Sequence, residues 1–167
     1  MIKTELKIRI YGDPCLRKKS SVVKRVNAGE RMLIASMIET MHQNKGVGLA
    51  APQVGINEQI FVADVGNGPA AFINPRILKK SGSEVLEEGC LSIPGIIVKV
   101  KRPKKILVEH LDEDNQLIRK EYDELLARVI LHETDHLKGK LITDYANLAA
   151  KIKLRPKLKA IRQVQKT

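Results

Sequence analysis

His132-Glu133-Thr134-Asp135-His136 sets two histidines four residues apart, with a glutamate directly after the first. In a helix of 3.6 residues per turn, that spacing brings both imidazoles onto one face, where they can share a metal ion. Residues 123–131 carry the matching pattern. At about 100° per residue, Leu125, Val129, His132 and His136 form one stripe, and Leu126, Ile130, Glu133 and Leu137 lie beside it. Both histidines therefore face the interior. The plainer alternative is a pair of core histidines with fortuitous spacing, and a glutamate placed to act as base counts against it.

A catalytic site of this kind needs three protein ligands and an open position for water. The longer metalloprotease pattern would end in histidine at position 142, which is Ile142, and after Asp144 the chain contains no Asp, Glu, His or Cys. Asp144 is thus the one downstream candidate; otherwise the third ligand comes from upstream. Cys90, in Glu87-Glu88-Gly89-Cys90-Leu91-Ser92-Ile93-Pro94-Gly95, is the natural choice, because the turn-rich backbone leaves its sulfur free to face a metal. If Cys90 were only a buried side chain, Asp144 or Cys15 would have to serve. Cys15 follows a Gly12-Asp13-Pro14 turn and reads as an ordinary small apolar residue.

A chain of 167 residues suits one domain with a sizeable core. Two cysteines, neither in a Cys-x-x-Cys pair, point to a reducing compartment, and no signal peptide or membrane span is legible, so the expected location is cytoplasmic. The net charge of +11 is unevenly spread. Residues 145–167 hold seven Lys/Arg and no acid, residues 1–30 hold eight against three, and the middle is nearly neutral. Basic ends on a neutral body suggest phosphate contact with a polyanion, and three Tyr, two Phe and no Trp argue against a base-stacking surface.

Periodicity supplies the rest of the fold. A helix is expected over residues 27–44, capped by Asn27, with His42 at its surface. Gly46-Val47-Gly48-Leu49-Ala50-Ala51-Pro52-Gln53-Val54-Gly55 allows close backbone approach and reads as a site wall, with Gln53 able to point inward. Short strands are expected over 59–64, 70–74, 96–100, 106–111 and 117–122, with His110 facing solvent, and a final helix from Tyr145 that Pro156 kinks or interrupts. The class is α+β.

Three motifs, Gly46-Val47-Gly48-Leu49-Ala50-Ala51-Pro52-Gln53, Glu88-Gly89-Cys90-Leu91-Ser92 and His132-Glu133-Thr134-Asp135-His136, together resemble those of bacterial peptide deformylases, in that order and at similar separations. The likeness covers nearly the whole chain. It implies a single catalytic domain over 1–167, with small antiparallel sheets packed around the central His-Glu-x-x-His helix and a basic C-terminal helix over 145–167. It further implies hydrolysis of the formyl group from the N-terminal formyl-methionine of new polypeptides, by a metal-activated water with Glu133 as proton shuttle. By position, Cys90, His132 and His136 would be ligands, and Gln53 with the Leu91 N–H the oxyanion donors. Gly46, Val47, Gly48, Leu86, Gly89, Leu125 and Val129 would bind substrate. The family implies Fe2+ as the native metal, with Zn2+, Ni2+ or Co2+ able to replace it, and ribosome contact through the basic tail. Leu131 stands where the family usually has Gln, away from the ligand stripe, so it bears on packing more than chemistry. Two other readings remain open at this point: a metal-dependent endopeptidase, and a basic RNA-binding protein with a structural metal.

Overall fold

The computed structural model describes residues 6–165; Lys166 of the basic tail and the first five residues lie outside them. Among the described residues, seven strands form two antiparallel sheets. The larger joins β1 (Gly48–Ala50), β2 (Ile60–Ala63), β3 (Ala70–Ser81), β6 (Lys105–Leu111) and β7 (Leu117–Asp123) in that spatial order. The smaller pairs β4 (Glu84–Glu88) with β5 (Val98–Arg102).

Helix α1 (Ala28–Gln43) begins where expected, because Asn27 and Glu30 form a reciprocal capping box: Gly29 N–H donates to Asn27 Oδ1 at 2.7 Å and Asn27 N–H to Glu30 Oε2 at 2.8 Å. Its Ile34, Met37 and Met41 are buried with Leu49, Ile60 and Val62, so the methionines are packing residues. Helix α2 (Glu124–Leu137) carries the paired histidines. Ile130 and Leu131 pack with Phe61, Phe72, Ile106 and Val108 of the larger sheet. The chain must stop turning directly after His136, and Gly139, at φ +71°, permits it: Gly139 N–H donates to His136 O and Lys140 N–H to Asp135 O, a Schellman ending. A Cβ at Gly139 would collide with the Arg17 carbonyl.

A third cluster joins Ile93, Ile96, Val98 and Val100 to Leu141 and Ile142, and Leu154, Leu158 and Ile161 of α3 (Leu148–Gln165) pack against it. Pro156 does not interrupt the helix, which runs through it from Leu148 to Gln165. The carbonyl that its missing N–H would have bonded belongs to Ile152, which is half-exposed and within reach of water. The helix also begins later than expected, at Leu148, because Ile142–Tyr145 forms a separate 3-10 turn and the Asn147 side chain accepts from Ala150 N–H.

The structure differs from expectation in four further places. His110 is buried: on β6 it shares the inward parity of Ile106 and Val108, lies with its ring centroid 4.4 Å from that of Phe72, and pairs through Nε2 with the Tyr122 hydroxyl at 3.1 Å. Burial pushes its pKa down. Strand β3 runs on to Ser81 through register shifts that begin beside Pro75, a proline tolerated at an irregularity. β4, whose Glu84 and Glu87 conceal its strand pattern, was not expected at all. The strand expected over 96–100 is β5, displaced to 98–102 because Ile96 N–H closes a turn onto Ile93 O.

Candidate active site

A cavity of about 610 Å³ opens between β1, the turn after β4 and helix α2. Gly46, Val47 and Gly48 form one wall, Gly89, Cys90 and Leu91 another, and Leu125, Val129, His132 and Glu133 come from the helix. Gln53 also reaches it. Leu86 is not among the lining residues; it stands exposed on β4, beside Glu87, which does line the cavity. Gly48 is required by close approach, since a Cβ there would overlap the Glu133 carboxylate and meet Val129 Cγ1 at 2.8 Å.

At the floor, one ligand atom each from Cys90, His132 and His136 lies within 4.8 Å of the others, the only such group among the described residues. Cys90 sits where the chain turns tightly, Ile93 N–H donating to its carbonyl at 2.9 Å, which aims Sγ to within 3.3 Å of His136 Nε2. The other two candidate ligands are elsewhere. Asp144 accepts a two-pronged bond from Arg17, at 2.6 and 3.0 Å. The Cys15 thiol donates to the Pro52 carbonyl at 3.3 Å, and burial pushes its pKa up to about 12.

The donor set fits a divalent cation, one thiolate and two imidazoles being a familiar set for Zn2+ or Fe2+. The electrostatics agree. Burial pushes the His136 pKa well below its usual value, leaving a neutral ring suited to ligation. Burial opposes charge on His132 too, but its bonds to Cys90 and Glu88 outweigh that and hold its pKa well above the usual. Glu133 is buried, with no partner for Oε2 among the described residues, and burial raises its carboxyl to about 7.

Gln53 lies in the 3-10 turn Ala51–Val54 and is 1% exposed. Its Oε1 accepts from Ala50 N–H at 2.8 Å, which fixes the amide so that Nε2 points toward Cys90 and Ser92, at 3.6 Å from Sγ and 3.2 Å from Oγ.

Behind the three donors lies a network that pattern reading missed. Glu88 accepts from Arg102 Nε at 2.6 Å, Arg102 Nη2 at 2.9 Å, Arg128 Nη1 at 2.8 Å and His132 Nδ1 at 3.0 Å. Burial pushes the Glu88 carboxyl up, but the bonds from His132 and Arg102 outweigh it and hold it at about 2. Arg102 reaches Asp135 as well, at 2.9 Å. Two signals were present in the sequence. The inward parity of Val98 and Val100 continues to Arg102, and Arg128 precedes His132 by one helical turn.

This arrangement has close relatives. The family model for polypeptide deformylase matches residues 5–151. A peptide deformylase of Thermotoga maritima is 47% identical over 161 residues, spanning 96% of this chain and 98% of that protein. One from Clostridium botulinum is 50% identical over 137 residues, 82% of this chain and 93% of its own. The crystal structure of the Ehrlichia chaffeensis peptide deformylase in complex with actinonin superposes with a TM-score of 0.91 at 34% identity, covering 98% of this chain and 99% of that one. With the family model matching nearly the whole length, and relatives of this identity along the same span, the chain belongs to the polypeptide deformylase family.

Proposed function

We propose that this chain, acting as one catalytic unit over residues 1–167, removes the formyl group from N-formylmethionyl peptides, with Cys90, His132 and His136 holding one divalent metal, Fe2+ in the native protein. A metal held there would supply Lewis acidity, lowering the pKa of a bound water toward neutrality. The observation that carries the reading is Glu133, which lines the cavity beside the three donors, with a buried, unpartnered Oε2 and a carboxyl raised to about 7. Such a group accepts a proton from water and returns it to the leaving amine at neutral pH. The Gln53 amide, anchored through Oε1, and the Leu91 N–H meet the charge developing on the formyl oxygen. The segment Gly46–Gly48 that leads into β1 and the turn at Gly89 offer main-chain groups to the substrate backbone, while Val47, Leu125 and Val129 supply the apolar wall for a methionine side chain. Formate and a free N-terminal amine result.

Incubating the purified chain with a formyl-Met peptide separates this reading from its rivals. Formate release with the peptide bonds intact supports it. Internal cleavage would favour an endopeptidase, and no reaction a structural metal. Gln53 has its own test: Gln53→Leu is expected to lower kcat by roughly a hundredfold or more with a smaller change in KM, because the contact strengthens as charge develops. An effect on KM alone would make Gln53 a ground-state binding residue.

No helix among the described residues is long and apolar enough to cross a membrane. A substrate class of newly made chains puts the protein in the cytoplasm, and the basic face of α3 suits a phosphate-rich partner such as ribosomal RNA. Leu154, Leu158 and Ile161 pack against the core, so deleting the tail would disturb more than charge. Exposed Lys151, Lys153, Lys157 and Lys159 are the cleaner targets. Replacing all four with Gln is expected to abolish low-salt co-sedimentation with ribosomes while formate turnover stays within severalfold. Undiminished binding would move the contact to the basic stretch at residues 17–25 or leave the tail charge a role in solubility only.

A further inference from the structure

We propose that Arg128 is a positioning residue: from the wall of the substrate cavity it holds Glu88, and through Glu88 the ring of His132, in the orientation that presents Nε2 to the metal. The inference rests on the assignment of Cys90, His132 and His136 as ligands.

Glu88 ends β4 and its carboxylate is filled on every side, three N–H bonds from guanidinium groups and one from the imidazole. Oε2 takes the His132 Nδ1 proton, which leaves Nε2 for ligation. Oε1 takes Arg128 Nη1 on the opposite side, at 2.8 Å, so the carboxylate cannot rotate without breaking that bond. Arg128 is itself pinned across both strands of the small sheet: Nη1 donates to Val100 O at 3.0 Å and Nη2 to Glu84 O at 2.9 Å. A planar fork meets these three acceptors at once, and a lysine ammonium on its flexible stem does not. Arg128 and His132 are also one turn apart on α2, so the helix fixes the distance between the clamp and the ring it steadies.

The two histidines differ in this respect. His136 Nδ1 is buried with no hydrogen-bond partner among the described residues, whereas His132 Nδ1 is held by the Glu88 clamp. Arg102 shares the clamp, but it also bonds Asp135 and lies against the Tyr145 ring, 5.0 Å from its centroid, so its loss would dismantle the packing around the 3-10 turn Ile142–Tyr145. Arg128 can be altered with less collateral damage. Removing a partner that orients a metal-bound histidine costs roughly 10- to 100-fold in metal affinity.

Co2+ is the probe, since its release to a chelator and its visible spectrum report the ligand field without reference to turnover. For Arg128→Met the release rate is expected to rise roughly ten- to a hundredfold, with an altered cobalt spectrum. Glu88→Gln should do the same alone, and the double variant should release cobalt no faster than the faster single one, because both act on one ring. Arg128→Lys keeps the charge without the fork; it should also release cobalt faster, and it carries the test if the Met variant does not fold. Unchanged release and spectrum with a lowered melting temperature of the metal-free chain would overturn the proposal and leave Arg128 a staple between β4 and β5. Additive effects in the double variant would overturn it too. An unaltered chain that takes up no cobalt would instead sink the ligand assignment beneath it.

Discussion

Replacing Glu133 with Ala is expected to lower turnover of a formyl-Met peptide by roughly two to four orders of magnitude while one metal ion per chain stays bound. The separation of the two effects follows from the helix. Glu133 is the direct neighbour of His132 and so lies about 100° around α2 from it, against the Gly48 backbone and outside the cluster of three donors. Its removal leaves every donor in place. What is lost is a carboxyl that burial has raised to about 7, the value at which a group gives and takes protons most effectively near neutrality. Glu133→Gln, which keeps the shape, should be similarly slow. Metal analysis alongside kinetics decides the matter: a variant that loses its metal would place Glu133 among the ligands.

Cys90→Ala should have the opposite signature, losing metal and activity together. Loss of an orienting neighbour alone costs up to ~100-fold in affinity, so loss of a ligand should cost more. Cys15 is the internal control. Its thiol is half-buried, donates to the Pro52 carbonyl and is held protonated by a pKa pushed up to about 12, a poor starting point for metal binding. Cys15→Ala should therefore leave metal content and turnover near those of the unaltered chain. Measured by metal titration of both variants, the reverse pattern would transfer the third ligand to Cys15.

Which features were legible in the sequence depended on whether the deciding forces were local. The paired histidines, the stripe that buries them and the Asn27 cap all depend on residues within a turn of each other, and α1 and α2 form much as the pattern implies. The resemblance supplied the union of Cys90 with the helical histidines, which local pattern only suggested. The role of Glu88 is not visible in its own motif, because its partners lie 14, 40 and 44 residues away in sequence. Arg102 and Arg128 were passed over because charged residues are rarely buried, and only tertiary pairing with Glu88 and Asp135 makes it tolerable. His110 was misplaced by attention to its charged neighbour Glu109, when strand parity put it on the inner face with Val108. Pro156 shows the converse: it does not interrupt α3, because the carbonyl it orphans is near solvent and the helix is held by Leu154, Leu158 and Ile161 on its other side.

One metal ion, held by Cys90, His132 and His136, is what we propose makes this chain a hydrolase of formyl-Met peptides. This is tested most directly by stripping the protein of metal and returning Fe2+ anaerobically in substoichiometric steps while formate release is measured. Turnover should start near zero, rise in proportion to added iron and break sharply at one ion per chain. Full turnover in the stripped protein, or a fully loaded chain that releases no formate, would contradict the account.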